Sequence, residues 1–143
     1  MRVLHVYPEI SDTATFLKEP GATAEQSLNS IVVSTKMSGE RRNTLVLVPA
    51  THRLDSKGLK RALGGKTSFL PMDEALALTG MERDSIGPVG VPECLPVVAD
   101  LSAIKGDDFY IGGEKLGRKY LITRQELETA VDQSVVGIYV PIA

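Results

Sequence analysis

Residues 80–96 read GMERDSIGPVGVPECLP. Gly80, Gly87, Pro88, Gly90, Pro92 and Pro96 break this stretch so often that neither a helix nor a central strand survives in it. It reads as one long shaped loop, and long loops inside compact domains are usually functional. Its glycines let a ligand approach the main chain and leave amides free to donate to an oxyanion.

Regular elements are expected on both sides of the loop. Before it, Arg2–Tyr7 alternates as a strand, and Ser11 or Asp12 caps a short helix running to Lys18 and stopped by Pro20-Gly21. Ile31–Val33 and Leu45–Val48 form a hairpin around a solvated loop, Lys36–Arg41, and Pro49 closes the second strand. Asp55 caps a helix over Ser56–Leu63 that Gly64 terminates. Thr67–Leu70 is a strand and Asp73–Leu78 a helix. After the loop come strands Val97–Asp100, Phe109–Ile111 and Lys119–Ile122. The capping box Thr123-Arg124-Gln125-Glu126 then opens a helix through Val131, and Val135–Val140 ends the chain as a strand. The expected class is α+β, with a mixed, largely antiparallel, curled sheet flanked by helices. The chain, 143 residues without linker or repeat, reads as a single domain over 1–143.

Composition narrows the function by exclusion. The chain is 43% apolar and 24% charged, ordinary globular usage. A net charge of −2 argues against a nucleic-acid coat protein, yet Arg41, Arg42, His52, Arg53, Lys57, Lys60, Arg61 and Lys66 make one segment locally positive. A lone Cys94 forms no intrachain disulfide, and the N-terminus lacks the apolar core of a signal peptide. No run is long enough to span a membrane, so the expected location is cytoplasmic.

Familiar catalytic signatures are missing. His5, His52 and Cys94 have no metal-ligand spacing, so neither metal nor cofactor is expected. Gly65-Lys66-Thr67 resembles the tail of a phosphate loop, but Lys60 stands where the first glycine belongs and a helix precedes it. There is no Gly-x-Ser-x-Gly elbow. Whatever chemistry the chain performs does not announce itself through a conventional nucleophile.

The order of Leu59–Gly64, Thr79-Gly80, Ile86-Gly87-Pro88-Val89-Gly90 and Leu95-Pro96 to Asp100 resembles the YbaK/EbsC family, from about Ala24-Glu25-Gln26 to the Thr123–Val131 helix. That family includes free-standing trans-editing proteins and the editing insertion of bacterial prolyl-tRNA synthetase. The resemblance implies hydrolysis of the ester between a wrongly attached amino acid and the tRNA terminus, for instance prolyl-tRNA carrying a small amino acid. Such an ester is already activated, so a positioned water and oxyanion donors suffice. A small pocket then acts as the second sieve, because one methylene is worth only about 1–3 kcal/mol in binding. The implied partners are the aminoacylated tRNA 3′ end and an aminoacyl-tRNA synthetase, with no membrane.

Carried over by position, Gly87, Pro88 and Gly90 match the pocket loop, and Gly87 and Gly90 are the expected backbone contacts to substrate. Thr79 and Gly80 match the family's Thr-Gly, Asp100 its acid after the next strand, and Asn29 with Ser30 the start of its hairpin strand. Two positions depart. Asn29 occupies the slot of a family lysine, and asparagine cannot neutralise a phosphate. Asp84-Ser85 replaces a pair of glycines common in the family. Two readings follow: a deacylase acting in trans, or a degenerate member that binds the tRNA end or a synthetase without turnover. A cation reaching the pocket from elsewhere, such as Lys18, Arg53 or Arg83, favours the first.

Overall fold

The structure, a computed structural model, describes residues 1–7, 12, 16–17 and 23–142. Its centre is a hairpin of β2 (Leu28–Met37) and β3 (Glu40–Pro49), paired in register from Leu28↔Pro49 to Met37↔Glu40; β1 (Arg2–His5) precedes it. The solvated loop expected over Lys36–Arg41 is instead mostly strand. Ser38 and Gly39, at φ 37° and 84°, turn the chain in two residues, so pairing continues to the tip.

Both faces of the hairpin are buried. Leu28, Val32, Leu45 and Leu47 face one core and Val33 and Val46 the other, which is why both strands are so apolar. The full sheet runs β5-β2-β3-β6-β9, with β5 Lys66–Phe69, β6 Val97–Ala99 and β9 Gln133–Ser134. The β3–β6 and β6–β9 pairs are parallel, so the sheet is mixed. A second sheet, β1-β8-β7, is antiparallel, with β7 Asp108–Gly112 and β8 Arg118–Thr123. A two-stranded piece joins β4 (His52–Leu54) to β10 (Tyr139–Pro141). The expected curled sheet is thus divided into three, and the class is α+β.

Three helices are described, α1 Ser56–Leu63, α2 Met72–Thr79 and α3 Arg124–Ala130. Asp55 Oδ2 accepts from the Gly58 amide at 3.1 Å, and Gly64, at φ 83°, ends α1 as its residue type requires. Thr123 and Glu126 close the reciprocal capping box of α3. Ala75 of α2 and Leu127 of α3 enter the larger core, while Leu59 of α1 and Ile138 fill the smaller one. Of the strand expected over Val135–Val140, only Tyr139 and Val140 are strand, as the start of β10, and residues 135–138 lie outside regular structure. Gly137 turns at φ 79°, and its carbonyl lies where a Cβ on Gly58 would sit, so the chain leaves β9 and restarts as β10. The first strand is shorter than Arg2–Tyr7, and most of the helix expected from Ser11 to Lys18, with Pro20-Gly21, lies outside the described residues. Among the described residues, no helix is long and apolar enough to cross a membrane.

Candidate functional site

The start of β2 is held beside the middle of β7: the Tyr110 amide donates to Gln26 O at 2.8 Å, and Ser27 bridges to Tyr110. Between these strands lies a cavity of about 250 Å³. Asn29 and Ser30 line it from β2, Gly112 from β7, Lys119 from β8 and Asp84 from the loop. Ser30 Oγ is buried and has no hydrogen-bond partner among the described residues. A buried hydroxyl left unpaired costs about 1–3 kcal/mol, so a water or a ligand in the cavity is expected to satisfy it.

Among the described residues Lys119 is the cation that lines this cavity, and sequence reasoning missed it. On β8 the residues Tyr120 and Ile122 face the core, so alternation places Lys119 on the opposite face, where a lysine reads as solvated. Phe16 covers that face: Lys119 Nζ lies 4.7 Å from the Phe16 ring centroid, and Phe16 stacks edge-on against Tyr110 at 5.1 Å. The lysine is consequently only 5% exposed. Burial pushes its pKa below the usual lysine range, while the carboxylates of Asp12 and Asp84 act in the opposite sense. Of the alternatives considered from sequence, Arg53 and Arg83 are exposed and do not line the cavity, and Lys18 lies outside the described residues.

The remaining expected residues surround the site without lining it. Thr79 Oγ1 donates to Ala75 O at 2.8 Å and accepts from the Met81 amide at 3.2 Å, and Gly80 caps α2 at φ 70°. Met81 Sδ in turn meets the Gly87 amide at 3.5 Å. Gly87 packs on β7 so closely that a Cβ would lie 2.1 Å from Gly112 O. Pro88 is buried, and Gly90, at φ 85°, faces the Glu114 carboxylate. The loop therefore reaches the cavity through Asp84 and Ile86, with Gly87 fixing their position. Asp84 itself has φ 62°, a left-handed conformation that suits glycine best.

Asp100 belongs to a separate polar knot. Its Oδ1 accepts from Ser102 N at 3.1 Å and its Oδ2 from Gly137 N at 3.1 Å. Its amide donates to Tyr139 Oη, which donates to Leu47 O. This network orients the segment after β6 and does not touch the cavity. Among the described residues, no three His, Cys, Asp or Glu side chains converge as a metal site would require.

Comparison with known proteins agrees with this architecture. The model of the aminoacyl-tRNA editing domain matches residues 7–130. The chain is 31% identical over 112 residues to a proline–tRNA ligase of Trichlorobacter lovleyi and 29% identical over 112 residues to that of Kosmotoga olearia. Each match takes in 78% of this chain and 18% of the ligase, so the chain spans about a fifth of the length of these relatives. Among solved structures it resembles the hypothetical protein APE2540, with a TM-score of 0.85 at 20% identity, covering 96% of this chain and 90% of that one. A candidate trans-editing enzyme for prolyl tRNA synthetase gives a TM-score of 0.81 at 22% identity, covering 96% and 85%. The chain belongs to the aminoacyl-tRNA editing domain family.

Proposed function

We propose that this chain is a deacylase acting in trans on mischarged tRNA, with the aminoacylated 3′ end seated in the cavity between β2, β7 and β8. Water attacks the ester carbonyl, the acyl–oxygen bond breaks, and the proton passes to the departing ribose oxygen. The likeness to proline–tRNA ligases and to a trans-editing protein supports tRNA charged for proline with a small amino acid as the substrate.

The observation that carries this reading is Lys119. It offers the cavity a positive charge from β8, where Asn29 on β2 offers only a neutral amide. A preorganised donor in a water-poor site stabilises a developing oxyanion far better than one in solvent. Ser30 Oγ–H and the Asn29 amide are placed to supply the hydrogen bonds that orient water and carbonyl. Gly87 and Gly90 serve at one remove, by shaping the loop that sets Asp84 and Ile86 at the cavity.

One observation favours the binder instead: Asp84 adds a carboxylate to a site that must take a polyanion's end. A deacylation time course on tRNA mischarged with alanine, cysteine or serine decides between the two. The wild type is expected to release amino acid and Lys119→Met to be at least ~100-fold slower, the usual effect of losing an oxyanion donor. Binding without release by the wild type, with turnover appearing in Asn29→Lys, establishes the binder.

A further inference from the structure

A second feature of β2 lies at its far end. Lys36 is paired with Arg41 of β3 on one side and with Lys66 of β5 on the other. Residues directly opposed in antiparallel strands share a face, so three cations stand in a row across the sheet. All three are exposed, and none has a carboxylate partner among the described residues. Arg41 Nη1 donates to Ser34 Oγ at 3.4 Å, which holds its guanidinium along the same face. Like charges set opposite one another weaken a sheet.

A further group of cations lies on the other face of the sheet, where α1 packs with Val33 and Val46. Lys57, Lys60 and Arg61 of α1 surround a shallow recess of about 410 Å³ over Gly64 and Gly65. Gly65 rests against β2 so closely that a Cβ would lie 2.2 Å from Lys36 O. Only glycine allows this contact, and it fixes the end of α1 to the strand that carries the row. Lys60 and Arg61 also favour the C-terminal end of the helix dipole, but the three strand residues gain nothing comparable.

We infer that Lys36, Arg41 and Lys66 form a ridge that binds the phosphate backbone of an RNA. The inference rests on the deacylase reading for the RNA's identity, the tRNA whose acylated end enters the cavity. Lys36 lies six residues along β2 from Ser30, about 20 Å at the rise of a strand, and by alternation on the same sheet face. One rigid strand therefore links the acyl site to the phosphate contacts. A sequence-independent anchor of this kind supplies affinity and register, leaving discrimination to the cavity.

The test compares wild type with the triple variant Lys36→Gln, Arg41→Gln, Lys66→Gln. Affinity for uncharged tRNA is read by fluorescence anisotropy between about 50 and 200 mM salt. The slope of log affinity against log salt is expected to become shallower by about 2–3, near one unit per lost phosphate contact. With mischarged tRNA, KM is expected to rise ~10- to 100-fold at unchanged kcat. Hydrolysis of the aminoacyl ester of adenosine, which has no RNA body, stays the same. The variant should melt no lower than wild type, because the opposed charges are gone. If it does not fold, the double variant Lys36→Gln, Lys66→Gln carries the same test, with a slope change of about 2. An unchanged slope and KM overturn the ridge, as does loss of an acidic protein partner with tRNA binding intact. Ridge-dependent tRNA binding by a wild type that releases no amino acid leaves the ridge standing and removes the deacylase reading.

Discussion

Gly87 and Gly112 meet backbone to backbone: a Cβ on Gly87 would lie 2.1 Å from Gly112 O, and a Cβ on Gly112 would lie 2.3 Å from Ile86 O. The breaker-rich loop and β7 are thus pressed together through two residues that have no side chain. Gly112 lines the cavity and Asp84 and Ile86 close it, so this contact sets the width of the site.

Gly87→Ala is expected to lower stability by about 1–3 kcal/mol, since the obstructing atom is main chain and cannot rotate away. Gly90→Ala should cost less, because its added Cβ meets the flexible Glu114 side chain, although φ 85° still disfavours alanine. Denaturant melts rank the two. A Gly87→Ala that is as stable as wild type contradicts the close contact.

Lys119→Met should make the protein more stable, by about 1–3 kcal/mol, while removing activity, since a buried charge is exchanged for an apolar chain. The pH dependence follows from the lowered pKa of Lys119. Between that value and the ordinary lysine range near pH ~10, the unfolded chain holds more protons than the folded one. Stability contributed at this position therefore rises with pH across the window and is lowest below it. Thermal melts taken through the window should show that rise in wild type and lose it in Lys119→Met.

Asp84→Gly is expected to gain up to about 1 kcal/mol by relieving a left-handed φ of 62°. Asp84→Asn removes the same charge while retaining the short polar side chain that tolerates this conformation. Both should bind tRNA more tightly, and both should push the Lys119 pKa down further by removing a carboxylate that now raises it. Equal affinity of all three proteins would show that Asp84 does not face the bound phosphate or ribose.

Tyr139→Phe separates scaffold from site. Burial pushes this phenol well above its ordinary range, and its oxygen links Leu47 O to the Asp100 amide. Losing both bonds should cost about 1–3 kcal/mol. Because the knot does not touch the cavity, kcat on mischarged tRNA should be unchanged below the melting transition.

Much of this protein was legible in the chain itself. Asp55 and Gly64 bound α1, Thr123 and Glu126 open α3, and the spacing of glycines and prolines keeps Gly80–Pro96 free of regular structure. These are local signals, carried by caps, turns and breakers that act within a few residues. Asn29 and Ser30, reached by aligning on Glu25-Gln26, line the cavity between β2, β7 and β8. Tertiary structure decided the rest. That Val135–Val140 is strand only from Tyr139 onward depends on Gly58 and Gly137, far apart in sequence. Lys119 becomes the cation of a cavity because Phe16 covers a sheet face that alternation alone would leave to water. Sequence periodicity reports which face of a strand a side chain takes, but only packing determines what stands opposite it.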